Sequence, residues 1–210
     1  MNPISKALEQ HYSATFSRHG ASSEGVDWGS DEARMFLRYE KMLSVGAFAA
    51  GNRASLLDVG CGYGGLQQFA IRRNIDLDYT GIDVAGNMIE WAGAHIPSGN
   101  FIHGDILDYK FARRFDYVVC NGILTQKLEA ARTEMDQFAN QLIRQMFSLC
   151  MVGIAFNVMT TKANYYAANL YYRDPAELFS WCASEVTPHI KLDHSYPLYE
   201  YTIYLYRNPV

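Results

Sequence analysis

The sequence predicts an α/β protein: a mostly parallel seven-stranded sheet with helices on both faces, an antiparallel last strand and an N-terminal helical cap. Three observations predict it. From Ser55 onward short apolar runs alternate with helical segments, the pattern of parallel strands joined by crossover helices. Near the end, HIKLDHS and LYEYTIYLYR are separated only by Tyr196 and Pro197, too short a link for a parallel crossover, so these two strands pair antiparallel. Before the sheet, apolar residues recur at helix spacing.

The elements follow in order. Ile4, Leu8, Tyr12 and Phe16 mark one helix and Met35, Tyr39 and Met42 a second, with GASSEGVDWGS as the break between them. Residues 1–50 therefore read as a cap, and 51–210 as one structural unit. SLLDV, DYTGID, NFIHGD and FDYVVCN read as strands; GLQQFAIRRN and AGNMIEWAGAH read as the helices between them. A long helix is expected from Thr133 to Cys150, with Met135, Phe138, Leu142, Met146 and Leu149 as its apolar stripe and Thr133 with Asp136 as a capping box. MVGIAFNVM is the next strand, and Asp174–Pro175 supplies an N-cap and a first-turn proline for the last helix. In the final run Tyr199, Tyr201, Ile203 and Leu205 alternate with Glu200, Thr202, Tyr204 and Tyr206, a strand period.

Composition narrows the function. With 49% apolar and 19% charged residues, the 210-residue chain is expected to pack one core. The net charge is −4 and no basic stripe is present, so a nucleic-acid partner is not expected. Cys61, Cys120, Cys150 and Cys182 form no CxxC pair; they read as reduced, buried thiols, and no metal is expected. No segment is apolar for long enough to span a bilayer, and MNPISKALEQHYS is no signal peptide; a cytoplasmic protein without a membrane partner is expected.

LLDVGCGYGG, residues 56–65, carries the most chemistry. A strand ends at Val59, and glycines let the backbone turn sharply and approach a ligand at the carboxyl end of the sheet. Gly60, Gly62 and Gly65 satisfy the dinucleotide pattern GxGxxG, with Asp83 placed as a ribose acid. Asp58 breaks the tie, because its charge in the loop entry opposes a diphosphate and suits an ammonium group. Asp105, in HGDI, is placed to accept a hydrogen bond from an adenine amino group.

These residues resemble the class I S-adenosylmethionine-dependent methyltransferases. LLDVGCGYGG, YTGIDVAGNMI, FIHGDILDY and FDYVVCNGIL look like that family's first four motifs in order, and the likeness covers roughly residues 50–207. It implies S-adenosylmethionine as donor and S-adenosylhomocysteine as product. By the same likeness Asp58 and the backbone of Gly60, Cys61 and Gly62 hold the methionine part. Asp83 takes the ribose hydroxyls, Val84 and Met88 pack near the adenine, and Asp105 with the Ile106 amide reads its edge. Asn121 and Gly122 line the floor beside the methyl, and Arg38 pairs with the donor carboxylate.

The expected reaction is methyl transfer to an O or N atom of a small molecule. Alignment of nucleophile and sulfonium does most of the work, helped by a general base where the acceptor is a hydroxyl. His194 is the first choice for that base, ahead of Glu200, His103 and His189. CNGI stands where base- and glutamine-directed members carry an NPPY-type element, which argues against those acceptors. Tyr165, Tyr166, Tyr171 and Tyr172 crowd one loop; Tyr165 and Tyr172, with Trp28 from the cap, are candidate walls of the acceptor pocket. Two alternatives stay open: a module that binds the donor without catalysis, and a nicotinamide oxidoreductase.

Overall fold

The computed structural model describes residues 1–48 and 53–209; the predicted cap boundary at 50/51 lies outside them. Among these residues seven strands form one continuous path: β1 (Ala54–Val59), β2 (Leu77–Asp83), β3 (Asn100–His103), β4 (Phe115–Cys120), β5 (Cys150–Thr160), β7 (Ile190–Asp193) and β8 (Glu200–Tyr206). A two-residue β6 (Tyr172–Arg173) adds an eighth, pairing with Met159 and Thr160 at the end of β5. The order is β3-β2-β1-β4-β5-β8-β7. Strands β1 to β5 run parallel, and β8 inserts antiparallel between β5 and β7. Connections leave β1 toward β2 on one side and reach β4 on the other. Their carboxyl ends therefore flank the point where strand order reverses, where open sheets of this kind bind ligands.

Among the described residues six α-helices surround the sheet: α1 (Pro3–His19), α2 (Glu32–Leu43), α3 (Gly65–Arg72), α4 (Gly86–His95), α5 (Arg132–Leu149) and α6 (Pro175–Glu185). Odd and even positions of β1 part to the two faces. Leu57 and Val59 join Phe138, Leu142, Ile143 and Met146 of α5 and Leu178 of α6. Leu56 joins Met35, Tyr39 and Met42 of α2 and Leu66 and Phe69 of α3. Because both faces are covered, β8 is buried at every position, its polar Glu200 and Thr202 included; only Tyr199, just before the strand, stays exposed.

Caps set the helix ends. The Asn2 side chain accepts from Ile4 N at 2.8 Å with Pro3 in the first turn of α1, and Asp31 accepts from Ala33 and Arg34 at the start of α2. Asp174 caps α6 through Ala176 and Glu177, as the sequence predicts. The expected capping box at Thr133 and Asp136 does not form. Helix α5 starts one residue earlier, Glu134 reaches back to accept from Ala131 N at 2.8 Å, and Asp136 accepts instead from the Tyr171 hydroxyl. Glu134 sits three residues past the true N-cap, where a carboxylate reaches the cap amide.

Candidate functional site

The loop after β1 builds the floor of a cavity. Gly60 and Gly62 have φ of 72° and 54°, in the region that favours glycine. A Cβ on Gly60 would stand 2.6 Å from the Ile123 side chain, and one on Gly62 would stand 3.3 Å from Val26. The loop thus needs glycine for its turn and for the segments that close over it. Gly60 N donates to Ile82 O at 2.8 Å, pinning the loop to the end of β2.

Three carboxylates ring this floor. Asp58 is buried and accepts from the Tyr79 hydroxyl at 2.7 Å. Burial pushes its carboxyl up to about 7, against the Tyr79 hydrogen bond and with help from the Asp83 charge. Asp83 accepts from Gly62 N and Ala85 N, both at 2.8 Å; burial nevertheless holds it above the ordinary carboxylate value. Asp105 accepts from Leu107 N at 3.0 Å through Oδ1, while its buried Oδ2 has no partner. Asn121, at the end of β4, is buried with both side-chain polar atoms unpartnered. Native interiors leave few such atoms alone, so the cavity is polar in specific, unused directions.

These directions fit the nucleoside that the sequence implies. The buried Asp58 carboxyl, raised by desolvation, favours a cationic ligand that restores its charge. The orphaned Asp105 Oδ2 is free to accept from an exocyclic amino group, and Val84, Met88 and Ile106 offer apolar contact around it. Among the described residues no group of three metal-ligating side chains occurs, and no helix is long and apolar enough to cross a membrane.

Every residue predicted to contact the donor lines this one cavity except Arg38. Arg38 is held by another partner: its Nε donates to Glu200 Oε1 at 2.7 Å, its guanidinium lies 5.1 Å over the Trp28 ring, and its buried Nη1 has no partner. Glu200 is 1% exposed and captures the cation because a buried carboxylate needs a charged partner. Asn157 donates to the other Glu200 oxygen and accepts from Gly122 N at 2.9 Å. Arg38 therefore braces the floor from behind.

Trp28 lines the cavity and stands 3.1 Å from where a Cβ on Gly122 would be. The other acceptor-side candidates do not reach it. His194 is exposed, in the turn after β7, with its ring edge-on to Tyr201. Tyr165 is 72% exposed, and Tyr172 turns its hydroxyl to Ala167 N and packs on Tyr166. Packing on Tyr201 engages the His194 ring and a backbone hydrogen bond engages Tyr172, while Tyr165 projects into solvent. His103 is held by Val84 O at 3.0 Å. Sequence reading missed Ser5, Leu8 and Tyr12 as walls; their helix periodicity was visible, but the target of that face was not.

Fold and site together define an S-adenosylmethionine-binding protein of Rossmann-like architecture. A methyltransferase domain family matches residues 56–145. The "Putative methyltransferase Rv1506c" of Mycobacterium tuberculosis is 33% identical over 159 residues, covering 73% of this chain and 93% of that one. Among solved structures, magnesium protoporphyrin IX methyltransferase from Synechocystis PCC 6803 with bound SAM superposes with a TM-score of 0.67 at 15% identity, over 99% of both chains. The plantazolicin methyltransferase BpumL, in complex with a triazolic desmethylPZN analog and SAH, gives 0.61 at 15% identity over 97% of this chain and 98% of that one. The chain belongs to the class I S-adenosylmethionine-dependent methyltransferases, and the nicotinamide alternative falls with that.

Proposed function

We propose that the enzyme transfers the methyl group to an oxygen or nitrogen atom of a small molecule. The observation that carries this reading is Asn121: an amide with a donor and an acceptor both free, buried at the cavity floor beside Gly122 and Trp28. Such an amide pairs with a heteroatom nucleophile, and leaving it unpaired costs about 1–3 kcal/mol per buried group. A carbon nucleophile offers it nothing. The enclosed roof of α1, Val26 and Trp28 supports a small acceptor, as do the acceptors named for the structural neighbours above.

The bound donor supplies a methyl already activated by its sulfonium charge. The chain's own residues then have four tasks. Asp58 faces the donor ammonium, Asp83 takes the ribose hydroxyls, and Asp105 with the Ile106 amide takes the adenine edge. Asn121 orients the nucleophile. Tyr12, Val26 and Trp28 exclude water, which strengthens every charge interaction inside. The Arg38–Glu200–Asn157 brace fixes Gly122, and with it the position of Asn121; small errors in such alignment cost rate steeply.

The test is transfer of labelled methyl from S-adenosylmethionine into a deproteinised, nucleic-acid-free cell extract. Label should appear in the small-molecule fraction. Label appearing only when protein or nucleic acid is restored would overturn the reading.

A further inference from the structure

Among the described residues no lysine, arginine or histidine lines the donor cavity, whereas Asp58, Asp83 and Asp105 all do. The amino-acid end of the donor carries an ammonium and a carboxylate on one carbon. Asp58 answers the ammonium. The carboxylate enters a cavity of like charge, and its partners there are neutral N–H and O–H groups close to Asp58. An arginine in that place would pair with Asp58 and quench the ammonium site.

The start of α3 supplies such donors. Gly65 opens the helix and lines the cavity together with Leu66, and no side chain caps this end. The first amide bonded within the helix is Gln68 N, to Gly64 O at 3.1 Å. Gly65, Leu66 and Gln67 are buried, and their amides have no acceptor among the described residues. A buried helix start leaves strong donors unpaired and presents the positive end of its dipole.

Tyr39 of α2 points to the same place independently. It is 5% exposed and lines the cavity, with its ring packed on Trp28 and on Phe69 at centroid distances of 5.7 Å. Its hydroxyl lies against the first residue of α3, so closely that a Cβ on Gly65 would overlap it. No carboxylate or carbonyl among the described residues accepts from that hydroxyl; its polar neighbour is the Tyr63 hydroxyl, which itself donates to Met35 Sδ at 3.6 Å. Burial, with Tyr63 and Asp58 beside it, holds the Tyr39 hydroxyl well above its ordinary value. It therefore keeps its proton and remains a donor, next to the acid that faces the ammonium.

We propose that the Tyr39 hydroxyl and the unpaired amides of Gly65 and Leu66 hold the donor carboxylate, so that the site selects nucleosides with an intact amino-acid end. This rests on the cavity being the donor site. Arg38, one position earlier on α2, is committed to Glu200 through Nε and does not line the cavity. The carboxylate is thus recognised without a cation, by a helix terminus and one buried hydroxyl.

Calorimetry with two ligands tests this: S-adenosylhomocysteine and its decarboxylated analogue, which keeps the ammonium and lacks only the carboxylate. The wild type should prefer the first by on the order of a hundredfold, the worth of hydrogen bonds to a charged group. Tyr39→Phe, which removes one oxygen, should weaken S-adenosylhomocysteine roughly tenfold and leave the analogue's affinity and the thermal unfolding of the free protein as in the wild type. Equal affinity of the wild type for both ligands, or a Tyr39→Phe change that is absent or the same for both, would overturn the proposal. So would an Arg38→Gln variant that lost the preference while Tyr39→Phe kept it, because the carboxylate would then sit on Arg38 Nη1. Wild-type protein that binds neither ligand would instead overturn the donor reading beneath it.

Discussion

The two halves of the site are held together in different ways. On the donor side the bonds span 2 to 21 residues: Asp83 holds Ala85 and, 21 residues away, Gly62; Asp105 holds Leu107; and Asp58 holds Tyr79. On the side proposed for the acceptor, side chains bind side chains much farther away in the chain. Arg38 meets Glu200 across 162 residues, Lys41 meets Asp193 across 152, and Gln126 meets Asp27 across 99. Donor recognition is thus fixed by loop geometry that tolerates little change. The side proposed for the acceptor is assembled by tertiary pairing. That division lets one fold serve many acceptors.

The sharpest way to break the comparison is to cut the longest tertiary pair. Arg38→Met strands the Glu200 carboxylate in the interior, and losing one partner of a buried pair costs about 3–5 kcal/mol. Urea unfolding should read a loss of that order, and the double variant Arg38→Met/Glu200→Gln should recover much of it. Burial already holds Glu200 above the usual carboxylate range, opposed by Arg38 and Asn157. With Arg38 gone the carboxyl protonates more readily, so the loss should shrink as pH falls. A loss independent of pH would mean that the ion pair is not what holds α2 to β8.

Cutting a local pair should act on binding instead. Asp83→Ala removes the acceptor of two backbone amides and the acid assigned to the ribose. S-adenosylhomocysteine affinity should fall roughly a hundredfold by calorimetry, the worth of one or two hydrogen bonds to a charged group. Asp83→Asn, which keeps one acceptor oxygen, should lose less. Equal loss in both variants would assign the effect to charge alone.

The same division explains what the sequence could say. The glycine loop, Asp58, Asp83 and Asp105 sit at fixed distances from strand ends, so their convergence follows from topology; all line one cavity. The Asp174 cap and the antiparallel close were equally local and equally legible. The Arg38–Glu200 pair was not legible, because nothing nearby in the chain announces Glu200. His11 and Asp27 are unremarkable in the chain and meet only when α1 folds back over the break after it. The tyrosine-rich loop is the clearest case. Tyr171 is 1% exposed and bonds Asp136, while Tyr165 is 72% exposed, and no local pattern separates them. β6 was too short to carry a strand period.

A smaller effect sharpens the donor half. The Asp58 carboxyl, pushed up to about 7 by burial, is partly protonated near neutrality in the free protein. A bound ammonium favours the ionised form, so binding expels a proton below that pH. S-adenosylhomocysteine affinity should rise between about pH 6 and pH 8 and then level. Calorimetry in buffers of different ionisation enthalpy should register the released proton. Asp58→Asn should bind more weakly and lose the slope. A slope that survives that substitution would move the titrating group to Asp83.

The smallest effects belong on the exposed acceptor-side surface. The sequence singles out His194 for its place near the turn between the last two strands and Tyr165 for the crowd of tyrosines in one loop, but both are solvent-facing and neither lines the donor cavity. Surface changes away from packing or hydrogen-bond networks usually stay within about 0.5 kcal/mol. His194→Ala and Tyr165→Ala should therefore unfold at the wild-type denaturant midpoint and transfer methyl at the wild-type rate. If His194→Ala slowed transfer, the base would lie beside β8 and the acceptor would enter over β5 and β8.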